Sequence, residues 1–379
     1  MEPRKARVRI AEVADEAGVS KAAVSFAFNS PERLNPATAA RIRMVADTLG
    51  YKPKSVTGAA TRRTADGTSF CATQTIGVLA AQALNSVFAN PFYAELFAGI
   101  SELTDQAGYG LLLVSPLHSS LVHAISRGTV DGFIVVGLSD DHPEVELIRR
   151  AGLPAVIVDG EALPEHGLVN SNDEAGARAA VRHLVGLGHR DFVVIGVEPP
   201  NMPSQFEYSA GPTEKLASRR LAGYRQGFEL GGVKFHDERT VVGPATFEGG
   251  VAAFHRIWED GLRPTALLAM SDVMAIGAMW AAADVGLRVP EDLSIVGFDD
   301  LAISRHANPP LTTVHQPILQ KGQEAARLLL RMIANPDMER PEHKTLETRL
   351  MIRGSTAAAP APATAAAPAP RGGRSRGTL

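Results

Sequence analysis

Three runs of apolar residues in this chain end on polar side chains: AVIV on Asp159, LLAM on Ser271 and Asp272, and IVGF on Asp299. Runs of this kind read as strands covered on both faces. Ligands of open parallel sheets bind beyond the carboxyl ends of the strands, so polar residues there stand out. Carboxylates at that place can accept paired hydrogen bonds from vicinal hydroxyls. A strand-end Asp or Ser can equally cap the helix that follows, and both roles fit each of these residues.

A second constellation lies at the other end of the chain, in RIAEVADEAGVSKAAVSFAFN, Arg9 to Asn29. Ile10, Val13, Ala14 and Ala17 recur at the spacing of one buried helical face. Gly18 can leave that helix in a left-handed conformation. Ser20 sits where a side-chain oxygen caps a second helix with Ala23, Val24 and Ala27 inward. Two short helices on such a turn have the geometry of a helix-turn-helix, whose second helix enters the major groove of DNA. Lys21 and Ala22, in its first turn, are then the positions able to touch base edges, and Ser20, Ser25 and Asn29 suit phosphate contacts. Phe26 can offer an apolar face to a thymine methyl or pack on the next helix. Taken alone, the segment fits a surface helical hairpin as well.

Positioning these residues requires a head and a body. Asn35 and Pro36 open a third helix to about Leu49, with Ile42, Val45, Ala46 and Leu49 as its stripe. A polar stretch from Lys54 to Thr75 reads as a linker with a weak helical tendency around Ser55 to Thr61. From there strands and amphipathic helices alternate in two successive sets, which implies two doubly wound lobes with a cleft between them. The end of the chain, AAAPAPATAAAPAPRGGRSRGTL, has the composition of a disordered tail.

Length and charge agree with that division. The 379 residues allow two or three domains, and 45% hydrophobic with 21% charged content is ordinary for a globular protein. Residues 1–64 hold twelve Lys and Arg against six Asp and Glu, whereas the whole chain carries a net −3. A basic head on an acidic body suits phosphate binding by the head alone. Cys71 is the single cysteine, which excludes intramolecular disulfides and thiolate-rich zinc sites. No run approaches the roughly 18 apolar residues of a membrane span, and MEPRKARVRI lacks a secretory core, so a cytoplasmic protein is expected. No GxSxG elbow stands between a strand and a helix, HExxH and GxxxxGK[ST] are missing, and GYGLLL lacks the last glycine of a dinucleotide fingerprint. A non-enzyme without metal or cofactor is the expectation.

Over residues 8 to about 354 the chain resembles the LacI–GalR family of bacterial transcriptional regulators. The words that carry the resemblance are EVADEAGVSKAAVS, LGYKP, NDEAGARAAVRHLVGLGHR, SRRLAGYRQGF, SDVMAIGAM, VPEDLSIVGFDD and PPLTTVHQP, in that order. It implies an α/β protein: a three-helix helix-turn-helix head, a hinge, and a two-lobed core of doubly wound parallel sheets like the periplasmic sugar-binding proteins. It further implies three chain crossings between lobes. The domains expected are 1–53 (head), 54–74 (hinge), 75–170 with 312–338 (first lobe), 171–311 with 339–355 (second lobe) and 356–379 (tail).

The resemblance also assigns roles. Arg220 becomes the cleft arginine, Phe247 a stacking platform, Phe92 a wall from the first lobe, and Gln316 a polar contact near a crossover. The hinge would fold on the operator, with Lys54 and Val56 beside the DNA and position 60 as the minor-groove wedge. Ala60 has too little side chain to open a base step. Gly58 costs such a helix about 1 kcal/mol relative to Ala. At position 26 the family usually carries arginine, so Phe26 departs from it. The partners implied are a palindromic double-stranded operator, a second copy of the chain, and a small-molecule effector, a sugar or a sugar-like compound, whose binding shifts the equilibrium between DNA-competent and DNA-released states.

Overall fold

The computed structural model describes residues 10–29, 34–49, 61–63, 69–71, 73–115, 120–138, 142–161, 164–197, 212–336, 338 and 340–360. The chain forms two compact units, Met1–Ala72 and Thr73–Leu379.

In the first unit, α1 (Ile10–Glu16), α2 (Lys21–Asn29) and α3 (Pro36–Leu49) close around Val13, Ala14, Ala17, Val24, Ala27, Ile42 and Ala46. These are the stripes expected from the 3.6-residue period, and their small side chains let short helices approach closely. Gly18 has φ +63° between α1 and α2. Ser20 Oγ accepts the Ala23 N–H at 3.1 Å, and Asn35 Oδ1 accepts the Ala37 N–H at 2.9 Å, capping α2 and α3. The linker departs from expectation. Thr61, placed at the end of a weak helix, instead opens β1 (Thr61–Arg63), antiparallel to β2 (Ser69–Cys71). Pairing with β2 satisfies the backbone of residues 61–63 directly.

In the second unit, the first lobe begins with β3 (Thr75–Ala80), α4 (Leu84–Ala89), α5 (Pro91–Gln106), β4 (Gly110–Val114) and α6 (Ser120–Ser126). It continues with β5 (Gly132–Val136), α7 (Pro143–Arg150), β6 (Ala155–Val158) and β7 (Gly167–Ser171). The chain crosses into the second lobe for α8 (Asp173–Gly186), β8 (Phe192–Val197), α9 (Pro212–Leu230), β9 (Thr240–Gly243) and α10 (Phe247–Glu259). There follow β10 (Ala266–Ala269), α11 (Asp272–Asp284), β11 (Ser294–Asp299), α12 (Ala302–His306) and β12 (Thr312–His315). It returns for α13 (Ile318–Ala334) and β13 (His343–Leu346), and ends in the second lobe with β14 (Arg349–Met351). The sheets run β13-β7-β6-β5-β3-β4 and β14-β12-β11-β10-β8-β9. All pairings in them are parallel except β12 with β14.

Two expected boundaries move. Residues 312–315, placed in the first lobe, form β12 of the second sheet, with Val296 opposite Thr312 and Asp299 opposite His315. Residues 343–346, placed in the second lobe, form β13 beside β7 of the first. Both strands are short and lack an apolar run, so only their pairing partners assign them. The tail also starts later than expected: the Ala357 N–H donates to Ser294 Oγ at 3.0 Å and the Ala359 N–H to the Leu187 carbonyl at 2.9 Å. His189 Nε2 meets the Ala357 carbonyl at 3.1 Å, so the segment through Ala359 lies on the second lobe.

The helix pair α5 and α13 sets the floor of the first lobe. A Cβ on Gly99 would come 2.0 Å from the Leu319 carbonyl oxygen, and one on Gly322 would come 2.3 Å from that of Leu96. Glycine at both positions permits this crossing. The crossing fixes the neighbouring residue of α13, Lys321, in the interior.

Candidate functional site

The head presents the N-terminal edge of α2. Lys21 and Ala22 are exposed there, while Ser25 and Phe26 are half-buried. The Asn29 side chain and Lys54, Val56 and Ala60 lie outside the described residues. Sequence reasoning missed Arg43. Its Nε and Nη2 both donate to the Ala27 carbonyl, at 3.2 and 3.1 Å, so a guanidinium from α3 closes the C-terminal end of α2. That end leaves carbonyls without helical partners and carries partial negative charge, which a cation offsets.

Where the strand ends of the two lobes meet, the structure gathers a buried polar cluster. From the second lobe, Arg220 on α9 donates through Nε to Asp173 Oδ1 at 3.1 Å and through Nη1 to the Met270 carbonyl. Its Nη2 lies 3.6 Å from Asp299 Oδ1, and the guanidinium covers the Phe298 ring at 3.7 Å. Burial opposes the charge of Arg220, but Asp173 and Asp299 hold it above its ordinary pKa. From the first lobe, Lys321 Nζ donates to both oxygens of Asp159, at 2.7 and 2.8 Å. Gln316, between β12 and α13, joins the halves. Its Oε1 accepts from Lys321 at 2.5 Å and from Ser171 Oγ at 3.2 Å, and its Nε2 donates to Asp299 Oδ1 at 2.5 Å. Burial pushes the Asp299 carboxyl up, against the pull of Arg220 and Gln316.

The backbone is strained at this cluster. Among the described residues, the non-glycine residues with positive φ are Gln74, Asp159 (+57°), Asp299 (+124°) and Asp300 (+59°). Such conformations cost energy and persist only where surrounding contacts hold them. Asp300 is held by His315 Nδ1 at 3.1 Å and by Arg353, which keep its carboxyl below the ordinary range despite burial. At the rim, Asn90 Nδ2 reaches the Ala245 carbonyl of the other lobe at 3.5 Å.

The expected residues therefore divide. Asp159, Arg220, Asp299 and Gln316 share the cluster, and Phe92 borders it, with its ring 5.7 Å from Lys321 Nζ. Three others have partners outside the cluster. Asp272 spends its oxygens on the fold: one accepts the Leu301 N–H at 2.8 Å and Ser304 Oγ at 2.5 Å, the other Thr313 Oγ1 at 2.5 Å. A Cβ on Gly297 would stand 2.3 Å from this carboxylate, so glycine there makes room for it. Ser271 Oγ accepts the Met274 N–H at 3.4 Å as the cap of α11. Phe247, expected as a stacking platform, lies edge-on to Trp280 of α11, centroids 6.4 Å apart. Lys321, Asp173 and Arg219, whose Nε lies 3.4 Å from Asp173 Oδ2, were missed. Lys321 carried no signal, because a lone lysine near the start of an amphipathic helix reads as solvated. Among the described residues no group of His, Cys, Asp and Glu could hold a metal ion, and no helix is long and apolar enough to cross a membrane.

A helical head with an exposed recognition edge and a two-lobed core with polar residues at its strand ends define a DNA-binding regulator with a ligand-binding core. The chain belongs to the LacI family: residues 9–54 match the model described as bacterial regulatory proteins, lacI family, and residues 181–356 match a periplasmic binding protein-like domain. The HTH-type transcriptional regulator CelR of Thermobifida fusca is 31% identical over 362 residues, 93% of this chain and 99% of that protein. A solved complex of the regulator CelR with cellobiose superposes with a TM-score of 0.65 at 29% identity, covering 92% of this chain and all of that one (100%). The lac repressor dimer bound to operator and an anti-inducer gives 0.63 at 25% identity, over 93% and 100%.

Proposed function

We propose that this chain is a repressor of transcription that works in the cytoplasm as a homodimer on a palindromic operator and releases or grips that operator according to a sugar bound between its lobes. The observation that carries the reading is the polar cluster of Arg220, Asp299, Gln316 and Asp159, drawn from both lobes and placed at the carboxyl ends of their strands. Arg220 and the two carboxylates offer donor and acceptor edges to adjacent hydroxyls, with Phe92 as the apolar wall. The relative whose solved structure holds cellobiose supports a sugar over other effector classes. Asp272 and Ser271 serve this site by holding loops and helices rather than ligand.

At the DNA, Lys21 and Ala22 read base edges, Ser20, Ser25 and Asn29 set register on phosphates, and Phe26 offers an apolar face. Lys54 and Val56 flank the minor groove, and Ala60 bends it little. Sugar binding stabilises one lobe arrangement over the other and shifts the DNA-competent population accordingly. The chain does this without catalysis, metal or cofactor. Footprinting against genomic fragments at moderate salt, with and without cellobiose or ribose, tests the reading. The expected result is a discrete two-fold symmetric footprint whose occupancy changes with sugar, and protection spread evenly over all fragments would sink it.

A further inference from the structure

Lys321 is 0% exposed, and buried lysines require compensation because an unpaired ammonium in a protein interior is costly. Its compensation is complete and local: both Asp159 oxygens and Gln316 Oε1 surround Nζ, within 2.8 Å. The same ammonium acts at a distance on Asp299, and Asp159 acts on Arg220, so the two ion pairs form one electrostatic unit across the lobes. Asp159 would otherwise be an acid at a strand end with no cation of its own, and a ligand ammonium would be its natural complement. The chain supplies that charge itself.

We propose that Lys321 is a specificity-determining residue, a built-in counter-ion that makes the cleft accept a neutral polyhydroxylated ligand and refuse the corresponding amine. With Asp159 engaged from the α13 side, only the lone pairs left over by Lys321 remain for a ligand, and these suit hydroxyl donors. A cation brought to the same carboxylate meets the Lys321 ammonium beside it, and like charges at short range in a poorly screened site repel. Lys321→Met keeps the unbranched stem beside Phe92 and removes the charge, which leaves Asp159 free to take an ammonium from the ligand. This inference rests on the sugar reading above.

The test uses full-length protein and matched probes: glucose with glucosamine, and cellobiose with its diamino counterpart, measured by isothermal titration at about pH 6.5, where amines of this kind are charged. For wild type, the neutral member of a binding pair is expected to bind at least tenfold more tightly. In Lys321→Met that ratio should fall at least tenfold, and in Asp159→Asn/Lys321→Met, which carries neither charge, it should lie between the two. The double variant also answers if the single one does not fold. An unchanged ratio in a folded variant, or a wild type that prefers the amine, overturns the role of Lys321 while leaving the sugar reading intact. If no neutral sugar binds any protein, the sugar reading fails and this inference falls with it.

Discussion

Asp159 in the first lobe and Asp272 in the second both follow a buried parallel strand, yet they are stabilised by opposite means. Asp159 faces an ammonium on α13, contributed from 162 residues away in sequence. Asp272 faces only neutral donors, the Leu301 amide and the hydroxyls of Ser304 and Thr313, and burial together with the nearby Asp299 charge raises its pKa. One lobe has placed a charge pair at the end of its strand. The other has used an acid as a clamp that ties the β11–α12 turn and β12 to α11. The same residue type after a buried strand thus faces a cation in one lobe, ahead of β7, and neutral donors in the other, as the first residue of α11.

Removing the cation from the first lobe should give the largest effect. Lys321→Met strands a buried carboxylate, and breaking such a pair costs about 3–5 kcal/mol, read from urea unfolding. Adding Asp159→Asn should return a good part of that loss, because it removes the stranded charge and tolerates the left-handed backbone at 159. In the second lobe Asp272→Asn keeps the shape but cannot accept from all three donors, and a loss of about 2 kcal/mol is expected. A loss in the second lobe as large as that in the first would erase the contrast.

The pH dependence sharpens it further. A carboxyl whose pKa is higher in the folded than in the unfolded chain takes up protons on folding, so its contribution to stability improves as pH falls. Wild type should therefore gain on Asp272→Asn between about pH 8 and about pH 5 in parallel unfolding series. The opposite slope would mean that the three donors outweigh burial. The smallest effects lie in the head. Arg43→Ala removes a charged donor from the Ala27 carbonyl and should cost about 1.5 kcal/mol. Ser20→Ala removes a cap worth about 1 kcal/mol. Both are read from the protection of head amides in hydrogen exchange on the whole protein.

The contrast also explains what could be read ahead of the structure. The three helices of the head were legible because their apolar spacing, Gly18, Ser20 and Asn35 act locally. The long strands were legible because buried parallel strands are apolar throughout. β12 and β13 were placed in the wrong lobes, since four-residue strands such as Thr312–His315 and His343–Leu346 are defined by their neighbours. Strand-end acids were visible as candidates, but whether each binds or braces depends on partners far away in sequence. The partner is Thr313 for Asp272 and Lys321 for Asp159. Phe247 was assigned by resemblance alone, and its partner Trp280 lies on a helix whose surface position no local pattern marks.

The central claim is that the buried cluster between the lobes controls the head. It is tested most directly by the fluorescence anisotropy of a labelled operator, selected from random DNA by the full-length protein and titrated with that protein at fixed salt, with and without saturating sugar, in wild type and Arg220→Gln. Wild type should change its operator affinity at least about fivefold on adding sugar, within the usual range of coupling between sites, while Arg220→Gln keeps the sugar-free affinity and loses the change. An operator affinity indifferent to sugar in wild type, or a response that survives intact in a folded Arg220→Gln, would contradict the account.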